Sequence, residues 1–395
     1  MHIILDKGGK KLYNINMAKT LIFGGAFDPP HNEHIAICKS AMAALGADKL
    51  VVVPTYMPPH KDGGFLKFED RCELIKAAFK DFDVVVDQIE KERGGDNYSY
   101  IILPLMKEKY GDIAYLIGGD SLQYFESWRN PEQIAKVCPI AVAERDGFDD
   151  VRETAHRLAQ KFGAEFILTD YVGEDVSSSM LKARLLLGEE VGEIPLSVTR
   201  IIRERGWFCE YESAVEKLKG FQSEELFYHS KAVVKRAVDF NSKHNLKLEF
   251  RKVFLSALLH DNAKQRPSLD GLPVPPDCIG TPVLHQFLGA EKARRDFGVD
   301  DKDVLDAIRY HTTAKADMSL LEKLIYTADS LSDDREYQPI PKLRKIAGEN
   351  FENGFLETLK YTVDKLIAKG GKIYPLTLSA YKYYIDNEDG VRTSE

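Results

Sequence analysis

The sequence predicts an α/β domain built on a mainly parallel sheet, followed by an all-α domain. Three observations carry this reading. Short apolar runs alternate with helical patterns through the first half. Strand-like runs nearly vanish after about residue 210. The 395 residues exceed what one ordinary domain holds.

The candidate strands are KTLIFGG (19–25), KLVVVPT (49–55), FDVVVDQI (82–89), IAYLIGGD (113–120), PIAVAER (139–145) and EFILTD (165–170). Helical patterns such as HIAICKSAMAALG (34–46) and FEDRCELIKAAFKDF (68–82) lie between them. Continuous apolar strands separated by helices imply a parallel sheet covered on both faces. Beyond Tyr211 to Ala214, runs such as FRKVFLSALLHDNAK, KDVLDAIRYHT and SLLEKLIYTADSL carry a helical period instead. One turn-rich stretch, RPSLDGLPVPPDCIGTP (266–282), interrupts them. The expected domains are 18–210 and 215–395, and residues 1–17 read as an appendage.

The net charge of -8 offers no electrostatic footprint for nucleic acid or an anionic membrane. A phosphate-bearing ligand must therefore be held by a local site. Five scattered cysteines without a CxxC argue against a disulfide framework and a cysteine-rich zinc site, so a reducing cytoplasm is expected. No apolar run approaches the roughly 20 residues that span a bilayer, and the first residues lack the shape of a signal peptide.

The run GGAFDPPHNEH, Gly24 to His34, follows the first strand and opens a helix near His31 or His34. Ligands of open α/β sheets bind at this carboxyl edge. Gly24 and Gly25 allow the backbone close to a ligand, and the helix start offers free N–H groups. His31 and His34 share one face of the first turn and can both reach one phosphate. Taken alone, Gly-Gly and Pro-Pro would make only a turn; the paired histidines favour an anion site.

This run resembles the G-x-F-D-P-x-H-x-G-H signature of the nucleotidyltransferases that adenylylate nicotinate mononucleotide. PTYMPPHK (54–61) with Arg71 beyond it, IGGDSLQYFESW (117–128) and VSSSMLKARL (176–185) resemble further segments of that family, in the same order. The resemblance covers residues 19–210 and implies a Rossmann-like domain. It also implies a reaction in which the mononucleotide phosphate attacks the α-phosphorus of ATP and expels pyrophosphate, with Mg²⁺ on the ATP. It assigns His31, His34 and Lys61 to catalysis. It places Gly24, Gly25, Phe27, Asp120, Ser177, Ser178, Ser179 and Lys182 at ATP, and Tyr98, Ser99, Trp128 and Arg145 at nicotinate mononucleotide. Two positions depart from the pattern. Glu33 stands where the signature has glycine, and Lys182 where it has arginine, with Arg184 as a substitute cation. The triple serine is also similar to phosphopantetheine adenylyltransferases, but His31 and PPHK favour the nicotinate family.

In the second half, LSALLHD, VLDAIRYH and LIYTAD are apolar helical runs that end on His260-Asp261, His311 and Asp329. A buried aspartate is costly unless it is paired or metal-bound. Each residue alone reads as an ordinary core or surface group; together they read as one polar cluster. Imidazole and carboxylate without thiolate suit Fe, Mn, Co, Ni or Zn.

The order H…HD…D resembles the HD-domain metal phosphohydrolases. HDNAK, His285, His311 and LIYTADSLSDDR resemble the subgroup that splits diadenosine tetraphosphate into two ADP. This resemblance covers 215–385 and implies a dinuclear centre, iron by preference. His229, His260, Asp261 and Asp329 would surround one metal, with His285 and His311 on the second and Asp261 bridging. Lys264 and Arg335 would bind polyphosphate. The expected ligands are ATP, nicotinate mononucleotide and diadenosine tetraphosphate, with no nucleic acid or membrane partner; a homo-oligomer is left open. Two alternatives stand beside this reading: a non-catalytic nucleotide sensor in the second half, or another acceptor such as phosphopantetheine in the first.

Overall fold

The structure is a computed structural model that describes residues 20–56, 66–145, 150–174, 176–370 and 372–386. Residues 1–17 and Lys61 lie outside the described residues, as does the side chain of Arg145. The chain gathers into two compact units. Among the described residues, one takes in 20–56, 66–182 and 191–207, the other 183–190 and those from 208 on.

The first unit holds six strands: β1 (Thr20–Gly25), β2 (Lys49–Pro54), β3 (Val84–Val86), β4 (Ile113–Gly118), β5 (Ile140–Arg145) and β6 (Phe166–Gly173). They form one sheet in the order β3-β2-β1-β4-β5-β6, with every pair parallel. Its principal helices are α1 (Asn32–Leu45), α2 (Phe68–Ala78), α3 (Ser99–Tyr110), α4 (Pro131–Val137), α5 (Val151–Phe162), α6 (Ser178–Leu186) and α7 (Leu196–Arg205). Ile22, Val51, Val53, Ile140 and Val142 are buried, as strands covered on both faces require. The strand order reverses between β1 and β4, so the crevice at their carboxyl ends is where a ligand is expected.

Two strands depart most from expectation. The stretch 82–89 contributes only Val84–Val86. Asp87 ends it, because its side chain accepts from Ile89 N, Lys109 and Tyr110 and starts a helical turn. The last strand runs on to Gly173, past the expected Asp170.

The second unit is helical, with principal helices α8 (Glu212–Phe221), α9 (Glu224–Lys243), α10 (Phe250–Leu259), α11 (Leu284–Phe297), α12 (Lys302–Tyr310), α13 (Leu320–Ser330), α14 (Ile340–Glu349), α15 (Phe351–Ala368) and α16 (Pro375–Tyr381). Polar side chains start several of them: Ser223 accepts from Leu226 N, Asp301 from Asp303 N, and Ser319 from Glu322 N. Helix α10 is buried along Val253 to Leu259 and packs against α9, α12 and α13. That packing brings the ends of the apolar runs together. Among the described residues, no helix is long and apolar enough to cross a membrane.

Candidate functional sites

A cleft of about 350 Å³ opens at the carboxyl ends of β1, β4 and β5 in the first unit. Gly24, Gly25, His31, His34, Asp120, Trp128, Ser177 and Ser178 line it. His31 is the residue before α1, and its ring stacks on His34 at 3.7 Å and 25°. His34 Nδ1 accepts the backbone N–H of His31 at 3.2 Å, so neutral His34 carries its proton on Nε2 and can donate with it. Phe27 turns through φ 51° and buries its ring against His34 at 5.0 Å, supporting the pair from below. The site thus joins a helix start to two imidazoles on one wall, a geometry suited to an anion.

Other candidates lie elsewhere. Lys182 does not line the cleft. It is buried, ion-paired to Asp28, which is itself buried, and it fastens α6 to the loop after β1. Lys182 thus sits in the framework of the site, since a buried lysine is stable only beside its counter-charge. Arg184 turns to Glu189 and the carbonyl of Glu190. Ser177 caps α6 by accepting from Met180 N at 3.2 Å, and Ser178 donates to the carbonyl of Pro29 at 2.9 Å. Ser179, Phe27, Tyr98 and Ser99 are not among the cleft residues. Tyr98 instead lies under the Arg129 guanidinium at 4.3 Å, and Ser99 meets the Tyr115 hydroxyl at 3.4 Å. Arg71 is buried and donates to the carbonyls of Ala26 and Thr55 at 2.7 and 2.6 Å, tying the glycine turn to the end of β2.

Glu33 does line the cleft, and it is seated. The Tyr171 hydroxyl donates to both of its oxygens, at 2.9 and 3.1 Å, and the Glu174 backbone N–H donates to Oε2 at 3.1 Å. A Cβ on Gly173 would stand 2.6 Å from Oε2, so any larger residue there would make the carboxylate shift from this seat. Burial and the Glu33 charge push the Tyr171 hydroxyl up to about 12, which keeps it a donor.

In the second unit the six expected ligands converge. His229 comes from α9, His260 and Asp261 follow α10, His285 sits in α11, His311 follows α12, and Asp329 lies in the last turn of α13. Donor atoms of His229, His260 and Asp329 lie within 4.8 Å of one another, as do those of His260, Asp261 and His311. Asp261 is fully buried and its two oxygens face different ways. Oδ2 stands 3.4 Å from His260 Nε2 and 3.9 Å from His229 Nε2. Oδ1 stands 3.3 Å from His285 Nε2 and 3.4 Å from His311 Nε2.

The rings are fixed by the backbone. Nδ1 of His260, His285 and His311 lies 2.7, 2.7 and 2.8 Å from the carbonyls of Ala257, Pro282 and Ile308, each three residues earlier. A carbonyl only accepts, so each Nδ1 carries the proton and each Nε2 lone pair points into the cluster. Two of these contacts also satisfy carbonyls left over at helix ends. His229 is set differently: Nδ1 meets Asp334 at 2.8 Å and Nε2 meets Asp329 at 3.0 Å.

Burial lowers the pKa of His260, and burial together with His311 takes His285 down to about 4, so both rings stay neutral. Burial opposes charge on His229, but Asp329 and Asp334 outweigh it and lift its pKa to about 9. Burial also opposes ionised Asp261 and Asp329. The Lys264 ammonium pairs with Asp261, and the Arg335 guanidinium holds Asp329 well below the usual carboxylate range. His260 Nε2 and Asp261 Oδ1 are buried without a hydrogen-bond partner among the described residues. Inward lone pairs, ionised carboxylates and two orphaned atoms fit a metal with nitrogen and oxygen ligands. Lys264 donates to Asp261 at 2.6 Å and Arg335 to Asp329 at 2.6 Å, and both line a mouth of about 430 Å³ beside His229. Asp334 was not singled out by sequence, although it lies in the quoted run LIYTADSLSDDR; the only sign was its place two residues beyond Ser332 in an acidic pair.

The parallel sheet with its histidine-bearing turn, and the helical H…HD…D cluster, define a nucleotidyltransferase joined to an HD-type hydrolase. Residues 22–184 match the cytidylyltransferase-like family and residues 226–334 the HD domain family. A probable nicotinate-nucleotide adenylyltransferase/Ap4A hydrolase of Mycoplasma genitalium is 29% identical over 87% of this chain and 97% of its own length. A probable nicotinate-nucleotide adenylyltransferase of Clostridium acetobutylicum is 31% identical over 48% of this chain and 98% of its own. A symmetrical bis(5'-nucleosyl)-tetraphosphatase of Halalkalibacterium halodurans is 31% identical over 42% of this chain and 93% of its own. The chain belongs to the family in which a nicotinate-nucleotide adenylyltransferase is fused to an HD-domain symmetrical diadenosine-tetraphosphate hydrolase, and it is an enzyme.

Proposed function

We propose that the first unit transfers the adenylyl group of ATP to nicotinate mononucleotide, and that the second hydrolyses diadenosine tetraphosphate to two ADP. In the first reaction a mononucleotide phosphate oxygen bonds to the α-phosphorus of ATP and the bond to the β-phosphate oxygen breaks. Deamido-NAD and pyrophosphate result. The observation that carries this reading is the stacked His31–His34 pair at the start of α1, inside the cleft. His34 Nε2–H and the N–H groups at the helix start would stabilise charge on the phosphates as the bond breaks. Ser177 and Ser178 also line the cleft and would hold the polyphosphate; Mg²⁺ would neutralise it. Trp128 would stack on the pyridine ring.

In the second unit the two-sided Asp261 supports a dinuclear centre, with His229, His260 and Asp329 on one side and His285 and His311 on the other. Iron is the preferred metal, with Mn, Co, Ni and Zn as alternatives. The metals would supply Lewis acidity and an activated water. Lys264 and Arg335, at the mouth, would hold the phosphate chain. Asp334 would keep His229 oriented.

The test supplies ATP with nicotinate mononucleotide, its amide or phosphopantetheine and follows pyrophosphate; metal-loaded protein is then given diadenosine tetraphosphate and ADP is counted. Preference for nicotinate mononucleotide and two ADP per substrate are expected. Tight binding of the tetraphosphate without ADP release would instead make the second unit a sensor.

A further inference from the structure

Glu33 is the residue of the histidine turn that the proposed chemistry leaves unused. It is the second residue of α1, between two histidines placed to meet phosphate. A free carboxylate there would repel a polyphosphate. The chain instead draws the side chain towards β6, where Tyr171 and the Glu174 N–H hold it and Gly173 leaves it room. The carboxylate still lines the cleft. A carboxylate offers about four lone-pair sites, and among the described residues Oε1 accepts from Tyr171 alone, so acceptor capacity remains. Such a group turns phosphate away and takes neutral donors. In ATP the neutral donors are the ribose hydroxyls and the adenine amino group.

We propose that Glu33 is a specificity-determining residue of the transferase cleft, whose seated carboxylate accepts a hydrogen bond from a neutral donor on the nucleoside of ATP. This rests on the adenylyl-transfer reading above. The Tyr171–Gly173–Glu174 seat fixes the carboxylate in advance, so the contact costs little ordering when ATP binds.

The experiment measures kcat and KM of the full chain with ATP, 2'-deoxy-ATP, 3'-deoxy-ATP and inosine triphosphate, for the native protein, Glu33→Gln and Glu33→Gly. The native protein should disfavour at least one analogue by about ten- to hundredfold, mainly through KM. The analogue affected identifies the donor as a particular hydroxyl or the amine. Glu33→Gly should lose that discrimination, and Glu33→Gln, which keeps one acceptor oxygen, should retain part of it. Tyr171→Phe, which unseats the carboxylate, should fall between. If a variant does not turn over, calorimetric binding of ATP and the same analogues gives the same comparison. Equal ratios of analogue to ATP in the native protein and both Glu33 variants would overturn the inference and leave Glu33 as a strut. No adenylyl transfer by the native protein would overturn the transferase reading, and this inference with it.

Discussion

The first unit draws its two histidines and both glycines from one short run, Gly24 to His34, whereas the second collects six candidates from α9 through α13, between His229 and Asp329. On the proposed reading the first site would use helix-start N–H groups and imidazole donors at an open cleft. The second works with ionised carboxylates in the interior of a helical unit, where Asp261 is fully buried. The contrast shows two ways to handle phosphate. A local turn can present dipoles as soon as one strand and one helix meet. A buried charge cluster exists only when several helices pack, because separated carboxylates could not be buried singly.

The sharpest way to break the comparison is Asp261→Ala, which removes the group common to both halves of the cluster. Metal content and tetraphosphate hydrolysis should fall together, the latter on the order of 10³-fold or more, while adenylyl transfer changes less than about twofold. Metal retained at native stoichiometry would refute the ligand assignment. Next in size, His34→Ala should lower adenylyl transfer by about 10²- to 10³-fold, in kcat more than KM, with hydrolysis intact. Parallel loss of both activities would mean that the two sites are not separate.

A smaller effect tests whether Lys182 serves the framework or the phosphate. Lys182→Met leaves Asp28 as an unpaired buried charge and should destabilise the first unit by about 3–5 kcal/mol, with little change in KM for ATP in the protein that remains folded. A large KM increase at unchanged stability would restore a phosphate-binding role. The smallest effect is a pH dependence at His244, which packs between Phe240 and Phe351. Burial holds its pKa below the ordinary histidine value. The unfolded chain therefore binds the proton more readily, so this contribution is present above about pH 6.5 and is lost on acidification. Thermal melts between about pH 7 and about pH 5 should fall less for His244→Gln than for the native chain. An identical fall would remove His244 from the account.

Much of this was legible in the sequence, for reasons that differ by region. Strands β1, β2, β4 and β5 were readable because parallel strands are apolar throughout, and the metal candidates because apolar helical runs ended on His or Asp. The early end of β3 was not, since Asp87 stops it through partners at Lys109 and Tyr110, a helix away. The Lys182–Asp28 pair was not legible because nothing beside Lys182 names Asp28, its partner 154 positions earlier. Asp334 was overlooked for the same reason: its target, His229, lies 105 positions back. Motifs announce the groups that face a ligand; the groups that hold them are announced only by packing.

The three backbone-fixed rings have a consequence for how damage spreads. His260, His285 and His311 each lean on a carbonyl three residues earlier, so their orientation depends first on their own local turns. His229 has no such insulation. Its orientation is on loan from Asp334, in a loop that Arg344 of α14 holds by donating to the carbonyls of Leu331, Ser332 and Arg335. A fault in α14 would thus travel to one corner of the cluster and stop there. That corner also carries Arg335, so distant sequence change can detune the site there without dismantling it.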